Sequence, residues 1–268
     1  MIQYLYLGRV GYTEALALQQ ELVELRHQGR IDNTLLLLEH PPVLTLGRNA
    51  TRANILASDE MLARKGVSVH EINRGGDVTY HGPGQLVGYP IFDLRSLSNA
   101  KGGRLGPVDY VRRVEEALIR LCAGYGVLTV RIPGRTGVWT ATPGNEKKIG
   151  AIGVHVSRGI TSHGFAFNLT TDLRDFQWIV PCGIADREVT SLERELGVTG
   201  PGQLPTLEQL ADAAARHFGQ VFNQQIVALE NVDALRAHLV EQIGVPMQVP
   251  EEVQRLSGND PADRPVRA

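Results

Sequence analysis

Hydrophobic and polar positions change period several times along this chain, and each change marks an element. Ala15, Leu18, Leu22 and Leu25 recur at helical spacing, with Thr13 placed to cap the helix and Gly29 to end it. Residues 34–39 hold an unbroken apolar run of strand length, which predicts a strand buried on both faces. After His40-Pro41-Pro42 the chain is extended again over 43–48, and Ser58 followed by Asp59 and Glu60 opens a short helix closed by Gly66. Residues 67–72 and 86–92 read as strands joined by a loop over 74–85. Pro107 suits the first position of a second long helix, whose apolar stripe is Val111, Val114, Leu118, Leu121 and Cys122.

Strand patterns follow at 127–132 and 137–140. Two more, at 148–156 and 161–169, predict a hairpin with Gly159 in its link. Thr206 and Gln209 have the spacing of a capping box for an Ala-rich helix that runs to about Phe222. Val232, Leu235 and Leu239 predict a last helix, and the polar stretch beyond Pro250 predicts a disordered tail. The expected organisation is one catalytic domain over residues 1–222, a helical extension over 223–249 and a disordered tail over 250–268.

Composition narrows the partners. The chain has 268 residues, 43% of them apolar, and a formal net charge of −2, which gives enough material for a large core and no basic excess for nucleic acid. No apolar run reaches the roughly 20 residues that span a bilayer, and Met1 to Tyr6 lacks the marks of a secretion signal. The expectation is a cytoplasmic protein with neither nucleic-acid nor membrane partners. Two cysteines, Cys122 and Cys182, then read as free thiols.

Chemistry concentrates in two places. Arg74-Gly75-Gly76-Asp77-Val78-Thr79-Tyr80-His81-Gly82-Pro83-Gly84-Gln85 sets glycines, which allow close approach to a ligand, among a cation, an imidazole and an amide. Cys122 lies on the apolar stripe of a helix and reads as core, whereas Pro181-Cys182-Gly183 holds a thiol on constrained loop backbone. A catalytic cysteine needs a base or a cation close by, because an ordinary thiol is only a few per cent thiolate at neutral pH. Lys147, Lys148, Arg74, His81, His155 and His163 are all candidates, and spacing does not choose among them.

Several blocks resemble one family. Arg74-Gly75-Gly76-x-x-Thr79-Tyr80-His81-x-x-Gly84-Gln85-x-x-x-Tyr89 is similar to the signature of the lipoyl(octanoyl) transferases, the octanoyl-carrier-protein:protein N-octanoyltransferases. The blocks from Glu39 to Arg48, from Lys148 to Gly153, from His163 to Asn168, from Pro181 to Ile184 and from Val189 to Leu192 match it in order and spacing, over about residues 1–220. The resemblance implies an α+β fold shared with biotin and lipoate protein ligases, a mixed β-sheet with flanking helices. It implies transfer of an octanoyl group from octanoyl-acyl carrier protein to a lysine of a lipoyl domain, with Cys182 as nucleophile, Lys148 as its activating base, and no metal or other cofactor.

The same resemblance makes lipoyl domains of 2-oxoacid dehydrogenases and the glycine cleavage H protein the acceptors, and a monomer the working state. The expected substrate-binding residues are Arg74, Gly75, Gly76, Asp77, Val78, Thr79, Tyr80 and His81 in the loop, with Ala151, Ile152, Gly153, Gly164, Phe165 and Ala166 flanking an apolar slot. Backbone N–H groups near Cys182 and Gly183, aided by His81, are the expected oxyanion donors. Arg48, Arg52, Lys101, Arg104, Arg112 and Arg113 are candidate guides for an acidic carrier protein. Two alternatives remain: an ATP-dependent lipoate or biotin ligase, and a non-catalytic acyl-chain binder.

Overall fold

Leu35, Leu36, Leu37 and Leu38 are all fully buried, so the strand that carries them has to be covered on both faces, and the architecture meets that demand. The computed structural model describes residues 1–99, 102–180, 188–198 and 202–235. Its elements are β1 (Ile2–Arg9), α1 (Tyr12–His27), β2 (Asn33–Glu39), β3 (Val43–Leu46), α2 (Asp59–Arg64), β4 (Ser68–Glu71), β5 (Val78–His81), β6 (Gln85–Ile91), α3 (Pro107–Gly124), β7 (Thr129–Ile132), β8 (Arg135–Thr140), β9 (Lys148–Ser157), β10 (Ile160–Asn168), α4 (Leu192–Leu196), α5 (Leu207–Phe222) and β11 (Ile226–Ala228). Eight strands form one sheet in the order β11-β1-β2-β6-β10-β9-β8-β7, and three form a second in the order β4-β3-β5. The large sheet is mixed: β1 runs parallel to β2 and to β11, and the remaining pairs are antiparallel.

Side-chain alternation sends the two halves of each central strand to different cores. Leu35, Leu37, Leu86, Val138, Ile149 and Phe167 meet α3 and α5 on one face. Leu36, Leu38, Val87, Tyr89 and Ala166 meet α1 on the other. A third cluster closes the small sheet, where Leu44, Leu46, Val78 and Tyr80 pack with Leu62 of α2, Phe176 and Ile179. β9 and β10 pair as the hairpin expected from sequence, and both hydrogen bonds of the Thr206–Gln209 capping box are made, at 3.1 and 2.9 Å.

The structure departs from the sequence reading at three points. α1 begins at Tyr12 behind Gly11, so Thr13 sits inside the first turn and caps nothing, and the buried face runs through Tyr12, Ala15, Gln19 and Leu22. Residues 74–85 are not a single loop, because Val78–His81 form β5 and pair antiparallel with β3. The stretch expected to be a helical extension over 223–249 opens with β11, whose Ile226 pairs with Ile2. A helical turn follows from Val232, and Leu235 is buried on the α1 side; Leu239 and the tail lie outside the described residues.

Gly164 of β10 marks the tightest approach between strands. A Cβ there would stand 2.1 Å from the carbonyl oxygen of Gly88 and 2.5 Å from Pro90. Backbone cannot yield as a side chain can, so Gly164→Ala is expected to cost about 3 kcal/mol, seen as a lower urea midpoint at unchanged slope. A midpoint equal to that of the unsubstituted chain would contradict the close packing of β6 and β10.

Candidate active site

The small sheet faces the large one across a slot, and the turn at residues 74–76 closes its rim. Gly76 has φ +88°, a conformation that a side chain rarely adopts, and this lets the chain reverse above β9. The Gly75 N–H donates to the Val154 carbonyl at 2.9 Å, which ties the turn to the large sheet. Arg74 is buried; its guanidinium donates to the Thr45 carbonyl at 2.7 Å, to Thr45 Oγ1 at 3.2 and 3.0 Å, and to the Gly75 carbonyl at 3.0 Å.

Of the expected binding residues, Arg74, Gly76, Thr79, His81, Ala151, Ile152, Gly153, Gly164, Phe165 and Ala166 line the slot. Gly75, Asp77, Val78 and Tyr80 do not. Alternation along β5 explains two of these: Thr79 and His81 face the slot, while Val78 and Tyr80 enter the small sheet's own core, where Tyr80 donates to Asp175 at 2.6 Å. Asp77 serves the turn by accepting from Val78 N at 2.7 Å and from Asn54 at 2.6 Å. Tyr12, Tyr89 and His163 line the slot without having been assigned to it from sequence.

Burial holds the histidines of this region neutral. It takes His81 down to about 3, and His40 and His163 down to about 4, with neighbouring positive charge adding to the effect at His81 and His163. The tautomer of His81 follows from its partners. The Gln85 amide N–H groups go to the Tyr80 carbonyl at 3.2 Å and to Asn168 Oδ1 at 2.9 Å, and the Asn168 amide in turn donates to the Thr190 carbonyl at 2.9 Å. Gln85 therefore presents its oxygen to His81 at 2.8 Å, so Nδ1 carries the proton and Nε2 is a bare acceptor, 3.5 Å from Thr45 Oγ1. An acceptor cannot stabilise an oxyanion, and His81 drops out of the expected donor set.

The two lysines that sequence left equivalent differ in setting. Lys147 lies partly exposed, 3.2 Å from the Glu188 carboxylate. Lys148, the first residue of β9, is 9% exposed, and it borders a second cavity with Gln85, Ile149, Asn168, Phe176 and Val189. Thr79, Ala151 and Ala166 belong to both cavities, so the slot leads along β9 and β10 to Lys148. Ala151 lies about 10 Å from Lys148 along the strand, a span of acyl-chain dimensions.

Cys182 belongs to residues 181–187, outside the described structure. The chain on either side is anchored. Val180 N donates to the Asn54 carbonyl at 2.8 Å, while Lys148 N donates to the Glu188 carbonyl and Thr190 N to the Lys148 carbonyl, both at 2.9 Å. Cys122 is fully buried between α3 and the sheet, and its thiol is pushed up to about 12 by burial. Of the basic residues, Arg48 N bonds the Arg74 carbonyl at the rim, and Arg52 pairs with Asp59. Arg112 and Arg113 sit on α3, across the large sheet from the slot, engaged with Glu115 and with Ser98 and Phe222. Lys101 lies outside the described residues.

Residues 11–219 match the family described as the lipoyl protein ligase A/B catalytic domain. A protein of Acidobacterium capsulatum named octanoyltransferase is 65% identical over 234 residues, covering 86% of this chain and 94% of the relative. One of Koribacter versatilis, with the same name, is 53% identical over 260 residues, covering 97% and 98%. Among solved structures, lipoate-protein ligase A bound with ATP superposes with a TM-score of 0.65 at 14% identity, covering 90% of this chain and 94% of the other. The bipartite lipoate protein ligase of Thermoplasma acidophilum gives 0.64 at 16% identity, covering 90% and 91%. The mixed sheet flanked by helices is thus the fold of the lipoate-protein ligases.

The neutral histidines make stability depend on pH. His40, His81 and His163 each bind a proton on unfolding wherever the pH lies below their unfolded value of about 6.5 and above their folded one. Stability is therefore fully present above about pH 6.5 and is lost as the pH falls from there toward 4. Urea midpoints should drop steadily between pH 7 and pH 4.5, and His163→Asn should flatten that slope by about one proton. A pH-independent midpoint over this range would refute the neutral cluster.

Proposed function

Because the chain belongs to the lipoyl protein ligase A/B catalytic-domain family and is an acyltransferase, we propose that it is an octanoyltransferase of protein lipoylation, working through a Cys182 thioester. The donor is octanoyl-acyl carrier protein and the acceptor is a lysine of a lipoyl domain. The observation that carries the reading is the seat of Lys148: a buried lysine at the end of an apolar slot, hydrogen-bonded through its backbone to the chain that leads out of residues 181–187.

The chemistry runs in two exchanges. The Cys182 thiolate attacks the donor carbonyl, the carbonyl–sulfur bond to the carrier's thiol breaks, and the leaving thiolate takes up the proton that Lys148 holds, which leaves Lys148 neutral. The octanoyl chain lies between β9, β10 and the Arg74 turn, against Ala151, Gly153 and Ala166. An incoming lysine amine then attacks the acyl-Cys182, Lys148 accepts the amine's proton, and Cys182 leaves as thiolate. Exchange between thioesters is close to neutral in free energy, whereas amide formation is downhill, so the sequence runs forward without ATP. His81 and Gln85 act on position: their hydrogen-bond chain holds β5 and β6 at the side of the slot.

The second reading, an ATP-dependent ligase, rests on the fold it shares with lipoate-protein ligase A, but at 14% identity that likeness extends to the fold alone. Mixing the protein with octanoyl-acyl carrier protein, without nucleotide, is expected to add one octanoyl group by intact mass. Cys182→Ala should abolish the adduct, and Lys148→Met should slow its formation about 100-fold or more. Transfer that requires ATP, or an adduct that persists in Cys182→Ala, would overturn the covalent route.

A further inference from the structure

Trp139 is the largest fully buried side chain, 1% exposed, yet it belongs to none of the three apolar clusters formed by the described residues. Its indole N–H makes no hydrogen bond among the described residues, so no polar partner there accounts for an indole at this place. What the ring does meet is Lys148. The two residues stand opposite each other in the β8–β9 pairing, and Lys148 Nζ lies 4.7 Å from the ring centroid. Val138, next along β8, packs toward α3, so Trp139 and Lys148 share the opposite face, the one that borders the slot.

The lysine's stem is guided as well. A Cβ on Gly137 would come within 3.4 Å of Lys148 Cε, so the stem runs past a position that has no side chain. Gly137 is itself held there by its N–H, which donates to Glu115 Oε1 at 3.1 Å, while the other carboxylate oxygen of Glu115 pairs with Arg112 and Arg131. An ammonium withdrawn from water needs a compensating negative field, and the face of an indole provides one.

We propose that Trp139 is a positioning residue for Lys148, its indole face serving as the seat that fixes the ammonium at the end of the slot. The inference rests on the pairing of Lys148 with Cys182 set out above. An ammonium held in place keeps more of Cys182 as thiolate, so removing the ring face raises the pH at which the thiol ionises.

The test follows Cys182 alkylation by iodoacetamide against pH, read by intact mass. Cys122 stays silent because it is buried and its thiol ionises far higher. Trp139→Leu is expected to raise the alkylation midpoint by about one pH unit, and Trp139→Phe by less. To separate the field from packing, tetrafluorotryptophan is placed at 139 in a Trp178→Phe background. It keeps the indole shape with little ring quadrupole, and should reproduce the Trp139→Leu shift with the urea midpoint unchanged. An alkylation profile that fluorination leaves in place overturns the inference, provided that Lys148→Met moves it. If Lys148→Met also leaves the profile in place, the Cys182–Lys148 pairing fails, and the role of Trp139 fails with it.

Discussion

One backbone hydrogen bond sets the geometry on which the site depends: the Gly75 N–H donates to the Val154 carbonyl. It brings a turn of the small sheet down onto an inner strand of the large one, and no bulk intervenes. A Cβ on Gly153 would sit 2.8 Å from the Gly75 carbonyl oxygen, and a Cβ on Gly47 2.4 Å from that of Gly76. With a side chain at Gly153 the sheets would stand apart and the slot would become an open cleft, while one at Gly47 would push the 74–76 turn away from the end of β3. The glycines are therefore spacers of minimum thickness. A slot this narrow takes most of the surface of an apolar occupant out of water between two protein walls.

The polar groups around the slot are arranged so that charge is scarce and its location fixed. His40, His81 and His163 stay neutral through burial, and the chain from His81 through Gln85 and Asn168 to the Thr190 carbonyl has every donor direction determined. Among the described residues, Arg74 and Lys148 are the cations that border the cavity. The result is a largely apolar slot with Lys148 at one end.

Local signals made much of this legible in the sequence. The leucine run of β2, the hairpin of β9 and β10, and the capping box at Thr206 depend on neighbouring residues, and the structure contains each of them. The glycines at 75, 76, 153 and 164 announced close approach. What stayed hidden was which residues meet across the fold. The small sheet pairs β3 with β5 through residues that look like loop, because the glycines around them outweigh four residues of strand signal. Tyr12 begins a helix whose buried face passes through the polar Gln19, and this masks the stripe. Trp139 and Lys148 are nine positions apart, and nothing in their spacing indicates a pair until the register of β8 against β9 is known. Cys122 could be assigned to the core because its periodicity is local.

The pairing of β1 with β11 also bears on how the chain is made. Ile2 pairs with Ile226, and the N–H of Ile2 donates to the Gln225 carbonyl at 2.8 Å. During synthesis the outer edge of β1 has no partner until residue 228 has left the ribosome, by which time the strands of the site have long been available. This edge is thus among the later contacts to become available, and until then it is exposed to other nascent chains. When β11 arrives it covers three of the eight residues of β1, at the end of the strand where the chain begins.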